Sequence, residues 1–591
     1  MKHFFLKLLF FCFILFKSCF SSAIDLSGTW LFKTGDAVEW ANLDYADSTW
    51  DFICAPQIWE TAGFHSYNGY AWYRKTVTIP ESWQHEKYFE VERFLILELG
   101  NIGDVDQTFF NGKVIGTTGD FPPHFKAEFD EIRKYRVPAE YVRWGEKNLI
   151  AIRVYDSEGY GGIQSGTLSI KTPTLLNYCD IKIDLNHPNH IYQSKEPIVA
   201  TTSIANPTID AWEGEVEWQI ISDLGNTNFC KTQSLRIPKA DSIILTSYFQ
   251  PQQPGFFQVQ ASLRSVQEIF YQKKISLGIE LKNLTTRPFV KKDFYSFWTR
   301  TKEQLDLTPV QPISEVIDSL SSTERKVYSL RLLSFNNVYI YGKISIPLQL
   351  PKFPAILYFP GNHPLPIQKL EQLFPDFAIL SFQVRGFGES ADEINPGNPG
   401  YIVWNINNKE KYIIRGAVMD CIRAVDFLYS IDRIDTSRIA AFATDLNGAF
   451  AVASAGLDSR IKMVAANEPL LIDFPFATKT SYSSFYEIVQ YIIEHPPEKK
   501  LVFQNLSYFD LLNFVDLIKC PIFLGASLES VSTPARTIVE LFNALNSEKD
   551  IRLYIEQDKK VIMENYLLDF SNWLYSKWKF QKNNSGMNSF F

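Results

Sequence analysis

The hydrophobic period changes once along this chain, and that change constrains the fold more than any single motif. From Asp25 to about Pro173 the sequence runs in short strand-like segments punctuated by turn residues, such as Phe94-Leu95-Ile96-Leu97-Glu98-Leu99 and Asn148-Leu149-Ile150-Ala151-Ile152-Arg153-Val154. A period near two puts successive side chains on opposite faces of a strand. Asn111-Gly112 sits between two such runs and predicts a two-residue hairpin, because both residues accept positive φ. No helix-period stretch interrupts the pattern, so residues 24–175 read as a β-sandwich. Alternation resumes over about 178–282, with Val216, Trp218 and Ile220 on one face and Phe257, Val259, Ala261 and Leu263 on another. This predicts a second, smaller sandwich, immunoglobulin-like in architecture but without paired cysteines. Residues 283–288 read as a linker. Beyond Asp293 the apolar runs become continuous, as in Pro354–Phe359 and Phe377–Phe382, and helix-period segments such as Ala417–Leu428 lie between later strands. That is the pattern of a parallel sheet covered by helices on both faces. The expected fold class is therefore multidomain, two all-β sandwiches followed by an α/β domain over 290–580, with breaks near 173–180 and 282–292.

The N-terminus reads Met1-Lys2-His3, then an apolar run from Leu8 to Phe16, then Ser21-Ser22-Ala23, the layout of a secretory signal peptide over residues 1–23. Lys7 and Lys17 interrupt the run, which falls short of the roughly 20 apolar residues a membrane span requires. A secreted, periplasmic or cell-surface location is expected, with no transmembrane segment. The whole chain carries −8, and removing the signal takes away three lysines and no acid. Nucleic acid is thus an unfavourable partner. Outside the signal, Cys54, Cys179, Cys230, Cys421 and Cys520 are too thinly spread for a disulfide framework, and each is expected to pack as a small buried side chain. The 13 Trp and 28 Tyr suit both sandwich cores and sugar-binding surfaces.

Two resemblances rest on particular residues. Gly28-Thr29-Trp30, Trp50, Pro56, Trp59-Glu60, Gly69, Ala71-Trp72-Tyr73-Arg74-Lys75, Leu99-Gly100, Asp104 and Asn111-Gly112 together resemble the galactose-binding-like jelly roll of glycosidase family two and of sialate O-acetylesterases. Arg385-Gly386-Phe387-Gly388-Glu389-Ser390, Arg415 to Asp420, Ala424–Leu428, Asp435 with Arg438-Ile439-Ala440, and Leu506–Asp510 followed by Asn513-Phe514 resemble acetyl xylan esterases and cephalosporin-C deacetylases, as do Asp293-Phe294 and Phe297-Trp298. This second resemblance covers about 290–560 and implies an α/β-hydrolase domain with a Ser-Asp-His triad.

The triad implied by the resemblance is not there. The nucleophile elbow G-x-S-x-G reads Ala443-Thr444-Asp445-Leu446-Asn447. Asp445 takes the serine's place, in a residue type that tolerates left-handed backbone better than most. The acid position falls on Ser530, with Glu529 beside it, and the histidine position on Lys559 in Asp558-Lys559-Lys560. On the oxyanion side Asn362 stands where the family has tyrosine. The histidine inventory agrees without any alignment. All eight lie at or before His495, whereas in this fold the histidine comes last in chain order. Without an imidazole beside it, a serine would have no ordinary general base.

An aspartate nucleophile needs no deprotonation to attack, but hydrolysing the resulting ester needs a base-activated water. Lys559 is a poor base when a carboxylate next to it raises its pKa. Asp445 and Lys559, with Lys560 one step away, are expected to form an ion pair across the former cleft. His187-Pro188-Asn189-His190 is the nearest approach to a paired-His metal motif. Its proline and the want of a third ligand read it as a turn instead. No metal, phosphate-loop or dinucleotide signature stands out, so no cofactor is expected. The leading expectation is a pseudo-esterase that binds a polysaccharide, an acetylated sugar or a protein partner. The alternative is an active deacetylase using Asp445 or another nucleophile.

Overall fold

The structure is a computed structural model. It describes residues 23–579, apart from residues 61, 65–66, 124, 129–130, 158–160, 174–179, 208–209, 251–252, 265–268, 362–363, 398–399, 481–484, 531 and 556–558. The signal-like segment up to residue 22 and Cys179 therefore lie outside the described residues. No described helix is long and apolar enough to cross a membrane.

Residues 23–171 form two sheets. One has four strands, in the order Ala23–Asp25, Gly162–Lys171, Phe94–Gly103, Ile132–Pro138. The other has six, in the order Asp51–Ala55, Gly28–Thr34, Gly69–Thr78, Lys147–Asp156, Val105–Phe110, Lys113–Thr118. Trp30, Phe32, Trp59, Tyr73, Leu97 and Ile152 share one buried core. The Asn111-Gly112 hairpin is present, with φ of 49° and 78° at the two turn residues. Helical stretches do interrupt the strands, contrary to expectation; besides the short 3₁₀ turns Val38–Ala41 and Ala139–Tyr141 there is one longer segment. The 3₁₀ turn Glu81–His85 and the helix Lys87–Glu92 are held by buried Trp83 and Phe89, whose short spacing gives too few residues for a visible helical period.

Residues 180–279 supply a five-stranded sheet in the order Ile191–Tyr192, Ile269–Ile279, Gly255–Arg264, Trp212–Ser222, Thr227–Ile237. A three-stranded sheet is formed by Asp180–Leu185, Ile198–Asn206 and Asp241–Phe249. The two apolar sets anticipated from alternation meet across strands, Val216 opposite Leu263, Trp218 opposite Ala261 and Ile220 opposite Val259, all buried. Cys421 is buried and Cys520 partly so, but Cys54 and Cys230 are exposed, which corrects the expectation for those two. Cys54 lies between buried Ile53 and Ala55, on the wet face of a period-two strand.

The chain divides into two compact units, residues 1–180 with 204–214 and 235–243, and residues 181–203, 215–234 and 244–591. A set of bonds inside the second unit ties residues between 223 and 284 to the segments that follow them. Ser276 N–H donates to Glu529 at 2.7 Å, Asn543 donates to the carbonyls of Leu281 and Leu284, and Arg536 pairs with Asp223.

The second unit carries a nine-stranded sheet. Its strands in chain order are β1 (Ile313–Val316), β2 (Arg325–Leu333), β3 (Tyr339–Pro347), β4 (Phe353–Phe359), β5 (Ala378–Gln383), β6 (Ile434–Thr444), β7 (Met463–Asn467), β8 (Ile522–Ser527) and β9 (Lys549–Tyr554), and the spatial order is β1-β2-β3-β5-β4-β6-β7-β8-β9. The first three strands and the β3–β5 pair are antiparallel, and all later pairs are parallel. Every residue of β4 is buried. Ala355, Leu357 and Phe359 enter one core with the helices α1 (Phe294–Asp306), α2 (Ile413–Tyr429) and α3 (Asp445–Leu457). Ile356 and Tyr358 enter another with Tyr566, Phe570 and Trp573 of α5 (Lys559–Trp578); α4 (Ala535–Ala544) joins the first. Covering both faces removes any need for polar alternation, hence the continuous apolar runs.

Candidate functional site

The parallel strands end on one side of the sheet, and the β6–α3 junction there makes the sharpest turn. Thr444 is extended (φ −128°, ψ 162°), and the next residue, Asp445, opens α3 at φ 50°. A left-handed non-glycine residue costs about 1–2 kcal/mol, least for Asp and Asn, so surrounding structure must hold it. The Asp445 carbonyl accepts the Leu470 N–H at 3.1 Å, and α3 is buried along nearly its whole length. The carboxylate itself is exposed. Asp445 thus stands at a sharp strand-to-helix turn, the place where the sequence leads one to expect a nucleophile.

The two lost glycines are accommodated differently. Ala443 is fully buried in β6, opposite Phe359 of β4 and Ala466 of β7. Asn447 is 2% exposed, and its amide nitrogen donates to the Pro360 carbonyl at 3.1 Å, bridging the elbow to the loop after β4. Its Oδ1 has no hydrogen-bond partner among the described residues. Asn362 lies outside the described residues.

Beneath the elbow, Tyr358 stacks on Phe442, and its hydroxyl accepts the Leu365 N–H at 3.0 Å. Burial pushes the phenol up to about 12; the Leu365 bond opposes this and the charge of Asp445 adds to it. Tyr358 therefore stays protonated at neutral pH and is no base.

Ser530, expected at the acid position, is partly buried in a turn. Its hydroxyl accepts the Thr533 N–H at 3.3 Å, and its own N–H reaches the Ser527 carbonyl. Glu529 is turned to the Ile269–Ile279 strand by its bond from Ser276, and burial raises its pKa despite that bond. The side chain of Lys559 lies outside the described residues, and Lys560 is exposed. Because Asp445 faces solvent, a pair formed there belongs to the exposed class worth about 0–1 kcal/mol. Of the described histidines, His187 pairs with Glu196, His190 bonds the Ser276 carbonyl, and His495 stacks on Tyr491. His187 and His190 close a turn through the His190 N–H, as the proline suggested. No group of three His, Cys, Asp or Glu residues with metal-binding geometry occurs among the described residues.

The motif residues around the elbow are scaffold. Arg385 binds both oxygens of Asp420 at 2.8 Å, with side chains 4% and 0% exposed, and Ser334 donates to the same carboxylate. The Ser390 hydroxyl donates to the Gln383 carbonyl and accepts the Tyr341 N–H, each at 2.8 Å, pinning the Arg385–Ser390 loop to β3 and β5. Asp510 caps the turn after it and accepts N–H groups from Leu512, Asp473 and Phe474.

Two features escaped sequence reasoning. Glu468 follows β7 at φ 48°, is 8% exposed, accepts the Ser527 N–H at 3.3 Å and takes the Thr533 hydroxyl on its carbonyl. The signal available was a polar Asn467-Glu468-Pro469 closing an apolar run. The second is a cavity of about 330 Å³ between residues 286–291, 473–475 and 500–513, away from Asp445.

Residues 274–577 match the family model for acetyl xylan esterase (AXE1). The C-terminal half is thus a carbohydrate-esterase domain, and the chain belongs to the acetyl xylan esterase family. It is 23% identical over 311 residues to the acetyl esterase Axe7A of Xylanibacter ruminicola, covering 50% of this chain and 69% of that protein. A solved acetyl xylan esterase from Paenibacillus sp. R4 is 25% identical, with a TM-score of 0.46 over 50% of this chain and 98% of that one. The sheet-rich N-terminal region resembles family-two glycosidases. It is 24% identical over 146 residues to β-galactosidase BoGH2A of Bacteroides ovatus, 23% of this chain and only 15% of that enzyme.

Proposed function

We propose that this chain is an exported member of its family that has lost serine-esterase turnover and is retained to bind saccharide or a protein partner. Its organisation in this reading is a galactose-binding-like sandwich over 24–175, an immunoglobulin-like sandwich over 178–282 and an α/β-hydrolase domain over 290–580. One observation carries the proposal. The elbow residue is Asp445, and the sequence after His495 contains no histidine to activate a nucleophile or a water. The bonds of Ser530 and Glu529 add to it, since neither residue is arranged as the acid of a triad.

A second reading has one observation in its favour: Asp445 keeps the left-handed elbow and an exposed carboxylate. In that reading the Asp445 carboxylate attacks the acetyl carbonyl carbon, the bond from that carbon to the sugar oxygen breaks and the sugar oxygen takes a proton from water, and the acetyl-aspartate anhydride left behind is hydrolysed by a second water to acetate and free Asp445. Treatment of the full chain with a fluorophosphonate probe tests the leading proposal. No serine in 290–580 takes up label; stoichiometric labelling of any one of them overturns it.

A further inference from the structure

We infer that the 330 Å³ cavity bounded by residues 286–291, 473–475 and 500–513 is a binding site for a saccharide carrying a carboxylate, a uronate-type sugar. The inference goes beyond the loss of turnover proposed above and stands whether or not Asp445 reacts.

Charge is the first observation. Arg287, Lys291 and Lys500 line the cavity, and none of them forms an ion pair among the described residues. The acids of the same wall are engaged. Asp473 accepts from Thr286 and from the Phe476 N–H, and Asp510 accepts three backbone N–H groups. Burial also pushes Asp510 up to about 7, so it is only partly ionised near neutral pH, and with Asp473 it does not balance the three cations. The excess facing a ligand is positive. Charge-assisted bonds to a carboxylate are the strong kind, and Arg in particular fits its two oxygens.

The second observation is shape and polarity. Phe289 is 67% exposed, with the Lys291 ammonium 4.5 Å from its ring centroid. The ring face that Lys291 does not cover suits the C–H face of a pyranose. Asn513, also in the lining, is 3% exposed and its Oδ1 lacks a hydrogen-bond partner among the described residues, an acceptor left for a donor such as a sugar hydroxyl. The volume lies at the small end of ligand sites, in keeping with one or two rings. Inorganic phosphate would satisfy the cations but leave Phe289 and Asn513 unused.

Calorimetric titration of the full chain with D-glucuronate, D-glucose and inorganic phosphate tests this. Glucuronate binds, and glucose and phosphate bind at least about tenfold more weakly, the value of one charge-assisted bond. Arg287→Ala and Lys500→Ala bring glucuronate down to the level of glucose, and Phe289→Ala weakens both sugars. These residues are solvent-facing, so the variants fold. Lys499→Ala, an exposed lysine outside the cavity lining, leaves binding unchanged. Failure of glucuronate to bind, glucose or phosphate binding as tightly, or equal loss with Lys499→Ala would overturn the assignment.

Discussion

The amide nitrogen of Asn447 lies 3.1 Å from the Pro360 carbonyl oxygen, so a side chain fills the gap between elbow and oxyanion loop where the family pattern has a hydrogen. That bond joins the turn after β4 to the turn after β6, the two turns an esterase uses to hold a reacting carbonyl. Asn447 tightens the junction structurally, while Asp445, two residues before it, is exposed.

Asn447→Asp places a carboxylate against the Pro360 carbonyl at a site 2% exposed. The donor is lost and a charge is buried without a partner, so we expect destabilisation by about 2–4 kcal/mol at neutral pH. The loss shrinks below pH 5 as the carboxyl is protonated. Urea denaturation at both pH values measures it, and an unchanged midpoint would count against the packing described.

Arg385 and Asp420 are mutually satisfied and almost fully buried, with Ser334 and the Phe335 carbonyl completing the network. Removing either partner leaves an uncompensated charge. Arg385→Ala and Asp420→Ala are each expected to cost about 3–5 kcal/mol, far more than the double replacement relative to either single. A double-mutant cycle in chemical denaturation checks this; additive losses would refute the coupling.

Asp445 gives a prediction of the opposite sign. At φ 50°, Asp445→Gly removes left-handed strain and should stabilise or leave stability unchanged, whereas Asp445→Ala should cost about 1 kcal/mol. A large loss in both would show that the interactions of the carboxylate outweigh the backbone strain.

Burial raises Asp510 to about 7, against an ordinary value near 3.8, and Glu487 and Glu540 also reach about 7 mainly through burial. Between those limits the folded state holds protons that the unfolded chain releases. The associated stability is therefore complete below the ordinary carboxylate range and is lost as pH rises through about 7. Thermal unfolding should fall in midpoint from pH 5.5 to pH 8, with a shallower slope in Asp510→Asn. An identical slope in the variant would show that Asp510 does not carry it.

Much of this was legible in the sequence because it depends on local pattern. The apolar runs of β4 and β5, the Asn111-Gly112 hairpin, the Val216-Trp218-Ile220 face and the strand-to-helix elbow at Asp445 each follow from neighbours in the chain. What was not legible rests on partners far apart in sequence. The Ser276–Glu529 bond and the Arg536–Asp223 pair bind strands of the second region into the sheet-bearing unit, and no local period announces them. The same holds for the cavity, whose walls come from three separate segments, and for Glu468, which looks like an ordinary loop acid until Ser527 N–H is found against it. The exposure of Asp445 turned on how α3 meets its neighbours, which residue identity alone does not decide.

The central claim is the loss of esterase turnover, and hydrolysis of p-nitrophenyl acetate and of acetylated xylan by the full chain tests it most directly. The account predicts release of acetate no faster than the buffer blank, and the same for Asp445→Ala. Turnover above the blank that disappears in Asp445→Ala would contradict it and establish the aspartate as a working nucleophile.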